Sequence, residues 1–132
     1  MPETLWELPE PATRVQSFPI LTQHPPRGCA LSFEIERGEE DTLERTTRVF
    51  EGVEAFRCTY RSSVTTDMIE AAYGRLVRPG RTPWLAEISR RYMEYVSYTK
   101  EKPKELQHLK IYFDDGPCYE VICTGVSLPD SV

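Results

Sequence analysis

The side chains in this sequence with the most obvious chemistry gather near its C-terminal end. Asp114, Asp115 and Glu120 lie within seven positions of one another, and His108 stands a few residues upstream. Paired carboxylates with a histidine could move protons or hold a divalent cation. Turn chemistry accounts for part of the group: in Asp114-Asp115-Gly116-Pro117 the Asp side chains accept backbone N–H bonds and Gly takes positive φ. Asp114 and Glu120 could still meet across the hairpin. The four cysteines, Cys29, Cys58, Cys118 and Cys123, offer less. Cys118 and Cys123 are an odd number of residues apart, so in a strand they face opposite sides and cannot share a metal. No C-x-x-C occurs and the histidines are only His24 and His108, so no metal site is expected and the thiols read as reduced. A Cys–His nucleophilic pair has no local support. Neither a glycine-rich phosphate loop, nor H-E-x-x-H, nor G-x-S-x-G is present, so no cofactor is expected.

A second group of charges suggests recognition. Glu39, Glu40, Asp41 and Glu44 form an acidic run in a chain with 16 basic and 21 acidic residues, a net charge of -5. That balance repels phosphate backbones and favours a basic protein partner over nucleic acid. The expected partner-binding residues are Glu39, Glu40, Asp41 and Glu44, together with the hairpin tip at Asp114 and Asp115. No apolar run approaches the roughly 20 residues that span a bilayer. The opening residues lack the positive and apolar regions of a secretory signal, so a cytoplasmic location is expected.

The elements that would position these residues are read from hydrophobic period. With 132 residues, 39% apolar and 11% aromatic, the chain is expected to form a single domain over residues 1–132. Residues 1–28 contain six of the eleven prolines, which excludes a long helix or central strand there. Their apolar residues suggest an arm packed on the core, with an edge strand near Val15 to Phe18. Leu31, Phe33 and Ile35 alternate with polar residues in a half-buried strand, and a charged loop follows over 37–45. Residues 46–61 read as two strands divided at Gly52, the second alternating Phe56, Cys58 and Tyr60 against Ala55, Arg57 and Thr59. Met68, Ile69, Ala72, Tyr73, Leu76 and Val77 have helical spacing, which predicts a helix over 66–78. Thr82 as N-cap and Pro83 at the first helical position begin a second helix over 83–97, with Trp84, Leu85, Ile88, Tyr92, Tyr95 and Val96 on one stripe. Leu109, Ile111 and Phe113 then alternate into the hairpin that returns over Tyr119 to Thr124. The expected fold is α+β: an antiparallel sheet of about five to six strands, with a two-helix insertion over 66–97 packed on one face. Leu31, Phe33, Ile35, Phe56, Ile69, Leu76, Trp84, Ile88, Ile111 and Phe113 are the expected core.

Two segments carry a resemblance: Arg48 to Cys58, reading RVFEGVEAFRC, and Leu109 to Cys123, reading LKIYFDDGPCYEVIC. Together they resemble small bacterial β-rich proteins, many uncharacterised and some grouped with the immunity proteins of polymorphic toxin systems. The resemblance is confined to these two segments and implies an antiparallel sheet and a binding protein with no catalytic residues to carry over. With the small size, the negative charge and the absent motifs, the first expectation is a non-enzymatic bacterial binding protein of the immunity type, inhibiting a toxin. The alternative is a small enzyme or ligand-binding domain whose site lies between sheet and helices and uses Asp114, Glu120 and His108. An accessory subunit of a bacterial assembly is a further form of the first.

Overall fold

The computed structural model describes residues 3–8, 19–24, 27–37, 42–60, 63–66, 72–113 and 117–127. In chain order the elements are β1 (Glu3–Glu7), β2 (Ile20–His24), β3 (Gly28–Arg37), β4 (Thr42–Glu51), β5 (Ala55–Thr59), β6 (Arg75–Arg78), α1 (Pro83–Thr99), β7 (Gln107–Tyr112), β8 (Cys118–Cys123) and β9 (Gly125–Val126). Two antiparallel sheets result, one ordered β1-β6-β7-β8-β5 and the other β2-β3-β4-β9. The expected α+β fold, a single sheet under two helices, is therefore corrected to a mostly β architecture. No helix among the described residues is long and apolar enough to cross a membrane.

Strand periodicity explains the layers. Leu31, Phe33 and Ile35 of β3 point one way, as do Leu109, Ile111 and Phe113 and, on β8, Tyr119, Val121 and Cys123; all are buried in one cluster shared by the two sheets. Phe33 meets Phe113 edge to face at 5.0 Å between ring centroids, and Phe113 meets Tyr119 at 6.0 Å. The opposite face of the five-stranded sheet is covered by α1, whose Tyr92 and Val96 pack on Ile122 with Trp84, Leu85 and Ile88 alongside. β8 is thus sandwiched, and all six of its residues are buried. The hairpin register sets Leu109 opposite Val121 and Ile111 opposite Tyr119, so the pairs on each face are fixed by backbone hydrogen bonds.

The first expected helix is corrected most sharply. Thr66 is helical and residues 67–71, with Ile69, lie outside the described residues, but Ala72 to Gly74 make a turn and Arg75–Arg78 is a strand. Leu76 and Val77 are adjacent and both buried, one in the core between the sheets and the other in a cluster with Tyr112 and Cys118. A two-residue apolar step satisfies a strand covered on both faces as well as a helix turn, and the short run cannot separate them. Arg75 and Arg78, within the expected helix, lie opposite Glu7 and Glu3 across β1 and form ion pairs with them. The proline-dense region supplies β1 and β2, each an edge of its sheet; the strand expected near Val15 to Phe18 lies outside the described residues.

Thr42 to Arg45, expected in a loop, extend β4, because their partners Glu34 to Arg37 continue the β3 ladder. The chain then leaves the four-stranded sheet at Gly52 and returns to it at Thr124. Gly52 has φ of 60°, and a Cβ there would overlap the Thr124 side chain. Thr124 donates from both its backbone N and its Oγ1 to the Glu51 carbonyl, each at 3.0 Å, so two sheet-to-sheet crossings share one point. Phe56, expected in the core, is 41% exposed, because β5 is an edge strand and Phe56 alternates away from the face covered by α1. Trp84 and Ile88 are half-buried.

Removing Phe33 leaves a void between the sheets, whereas removing Phe56 mainly trims an exposed edge. Phe33→Ala is expected to cost about 3–5 kcal/mol and Phe56→Ala about 1 kcal/mol. Urea unfolding of both variants checks this, and equal losses would contradict the two-sheet core.

Candidate functional site

Strand β8 runs through the centre of its sheet, and Glu120 sits in it on the face turned toward α1. Register alone places Arg57 of β5 on one side of it and Lys110 of β7 on the other. Glu120 is 2% exposed. An ionised carboxylate so far from water must have its lone pairs filled. Arg57 does this with two donors, Nε to Oε1 at 2.8 Å and Nη2 to Oε2 at 3.1 Å, the forked geometry for which guanidinium is suited. His108, two residues along β7 from Lys110 and so on the same face, places Nε2 at 2.7 Å from Oε2.

A carboxylate can only accept, so His108 Nε2 carries a proton. In the neutral ring, Nδ1 is then an acceptor, and it lies 2.8 Å from Thr82 Oγ1. Thr82 donates its hydroxyl proton to Nδ1 and accepts the Leu85 N–H at 3.2 Å as the N-cap of α1. The result is a linear chain: Arg57, Glu120, His108, Thr82, helix N-terminus. Trp84 closes it from outside, its ring 4.1 Å from the Arg57 guanidinium carbon and set edge to face against His108 at 5.2 Å. Among the described residues the only buried side-chain nitrogen or oxygen without a hydrogen-bond partner is Arg48 Nε, so this network is complete.

Burial by itself would raise the Glu120 pKa. The hydrogen bonds from His108 and Arg57, with the positive charge of Arg57 beside it, outweigh it and hold the carboxyl down at about 2.

Beside the network lies an open cavity of about 650 Å³ between the first turns of α1, the strand β6 exit and the β7 entrance. Thr82 and His108 belong to its wall, as do the apolar Leu85, Tyr92, Met93 and Leu106. Arg78, Arg81 and Lys104 bring positive charge, against the acidic Glu105. Arg78 is already bound to Glu3 and to Gln107 Oε1, the latter at 2.8 Å. Arg81 and Lys104 have no ion-pair partner among the described residues.

Of the residues expected from sequence, the structure brings His108 and Glu120 together. Asp114 and Asp115, like Glu39, Glu40 and Asp41, lie outside the described residues; Glu44 is exposed on β4, opposite Ile35 in the other sheet. His108 is buried and hydrogen-bonded at both ring nitrogens. None of the four cysteines is in a disulfide: Cys29, Cys118 and Cys123 are buried and Cys58 is exposed. Burial pushes the Cys29 thiol to about 11 and those of Cys118 and Cys123 to about 12, which leaves them protonated and weakly nucleophilic. The described residues contain no group of three or more His, Cys, Asp or Glu able to hold a metal ion. Sequence reasoning missed Arg57 as the partner of Glu120, and read Thr82 as a helix cap alone. The alternation of β5 put Arg57 on one defined face, but only the β5–β8 pairing shows which side chain it meets.

Comparison with family models, with characterised proteins and with solved structures finds no match to this chain.

Because the folded Glu120 pKa lies below its ordinary value of 4.5, its contribution to stability is full above that value and is lost as pH falls toward about 2. Glu120→Gln is expected to lower stability at pH 7 and to flatten the stability profile between about pH 4.5 and 2. Denaturant titrations across this range measure it; an unchanged acid limb would show that the carboxylate is not held as described.

Proposed function

We propose that this protein is a small-molecule binding domain whose ligand pairs an anionic group with an apolar body. The observation that carries the reading is the cavity of about 650 Å³, with a largely apolar wall and two cations, Arg81 and Lys104, that form no ion pair among the described residues. Volumes of about 300–1,000 Å³ with mostly apolar lining and a few placed polar groups are the usual form of a ligand site. In a chain of net charge -5, positive side chains gathered at one opening also focus the local field toward anions. The wall is held rigid from behind, since His108 is fixed at both nitrogens and α1 is capped by the same hydroxyl that binds it. A ligand would therefore meet a preformed surface, which lowers the ordering cost of binding.

The toxin-inhibitor reading has the net charge and the two resembling segments as its support. Glu44, the one of its acidic residues among the described ones, is exposed on β4 and does not line the cavity.

The test uses 1-anilinonaphthalene-8-sulfonate, an anion with an aromatic body, followed by fluorescence at pH 7, with benzoate and octanoate as competitors. Saturable binding of one molecule per chain is expected, with the affinity falling about tenfold in Arg81→Ala or Lys104→Ala, as loss of one charge-assisted contact implies. Ala86→Trp, which fills the cavity wall, is expected to abolish it. Binding indifferent to all three substitutions would remove the cavity as the site.

A further inference from the structure

The geometry points to an acyl-transfer site in the cavity wall, in which Thr82 is the nucleophile, His108 the general base and Glu120 the group that orients and charge-stabilises the imidazole. This rests on the reading of the cavity as a ligand site and names the substrate class: an ester of a small carboxylic acid that carries a further anionic group.

The arrangement has the three parts that hydroxyl activation requires. The Thr82 hydroxyl lies 2.8 Å from His108 Nδ1, within proton-transfer reach. The opposite nitrogen, Nε2, lies 2.7 Å from a carboxylate, which fixes the tautomer that leaves Nδ1 free to take a proton. Glu120 is itself fixed by the two-point contact with Arg57, so the imidazole cannot rotate away from Thr82. Both Thr82 and His108 line the cavity, while Glu120 and Arg57 stand behind it. The ring nitrogens are exchanged relative to the familiar serine triad, but the roles depend on which nitrogen faces which partner and not on its label.

The reaction balances without a cofactor. Thr82 Oγ1 bonds to the ester carbonyl carbon while its proton passes to His108 Nδ1, and the developing imidazolium is stabilised by Glu120 at Nε2. Collapse of the tetrahedral intermediate breaks the ester C–O bond, and the alcohol leaves with the proton from His108. Water then attacks the acyl-Thr82 carbonyl, giving up a proton through His108, and the carboxylic acid departs as the Thr82 hydroxyl is restored. Arg81 and Lys104 would hold the substrate's anionic group, as in the binding reading. The Trp84 N–H, in the first turn of α1 after Pro83, belongs to the set of helix N-terminal donors without an intrahelical partner and adjoins the nucleophile.

The nucleophile also caps α1, so its removal must be separated from unfolding. Asn caps a helix as well as Thr does but has no hydroxyl, and Ser retains both functions. With p-nitrophenyl acetate and the anionic ester 4-acetoxybenzoate as probes, wild type is expected to turn over both above the buffer rate. Thr82→Ser should keep activity within about tenfold, and Thr82→Asn and His108→Asn should lower kcat by about 100-fold or more. A fluorophosphonate probe should label Thr82 in wild type, as located by peptide mapping. Wild-type turnover equal to buffer together with no adduct at Thr82, or full activity in a folded Thr82→Asn, would overturn the inference. If Thr82→Asn does not fold, the mapped adduct in wild type and the activity of Thr82→Ser still decide it. Sulfonate binding in the folded Thr82→Asn variant reports the cavity separately, so a catalytic failure with binding retained leaves the ligand reading intact.

Discussion

Burying the Glu120 carboxylate would cost several kcal/mol if its oxygens were left bare. Three elements of the fold answer that demand at once. β5 supplies Arg57 from the neighbouring strand, β7 supplies His108 two residues along on the same face, and the loop before α1 supplies Thr82 to satisfy the far side of the imidazole. Each of these positions is fixed by something else as well. Arg57 is fixed by strand pairing and by Trp84, His108 by the hairpin register, and Thr82 by the start of the helix. The carboxylate therefore ties the helix N-terminus to the middle of the sheet, and a shift of any one member would leave a buried polar atom without a partner.

This tie matters because the two faces of the five-stranded sheet are held differently. The face toward the second sheet is apolar and broad, with Phe33, Phe113 and Tyr119 meeting edge to face. The face toward α1 is narrower, with Tyr92 and Val96 as the buried helix residues and the other stripe residues only partly covered. Apolar contact alone is non-directional and would leave the helix free to slide along the sheet. The hydrogen-bonded chain from Arg57 to Thr82 adds the direction, placing the helix start against β7 and leaving the cavity open beside it.

The cavity and the polar chain are consequences of one arrangement. The helix is fastened to the sheet at its N-cap, and the space beside its first turns is lined by whatever the β6–α1 and α1–β7 connections contribute. Here they contribute Arg81 and Lys104, while the fastened end contributes Thr82 and His108. A recognition element and a reactive pair are thus side by side for the same geometric reason.

The sequence by itself determined the strands of strong alternation, the Asp-Gly hairpin region and α1. Leu31 to Ile35 and Leu109 to Phe113 are buried as their period requires, and Thr82 and Pro83 start the helix where their capping chemistry places it. His108 and Glu120 were also visible as residue types worth pairing, since a hairpin of that length brings its two arms together. Tertiary structure decided the rest. Leu76 and Val77 could serve a helix turn or a doubly covered strand, and only the presence of β1 and β7 on either side makes them a strand. Phe56 follows the same alternation as its neighbours, yet its exposure depends on β5 being an edge. Arg57 meets Glu120 across 63 positions of chain, a contact set by which strands pair. Local period reports which face a residue takes, because it follows from backbone geometry; what stands on that face is decided by non-local pairing, which no short window of sequence contains.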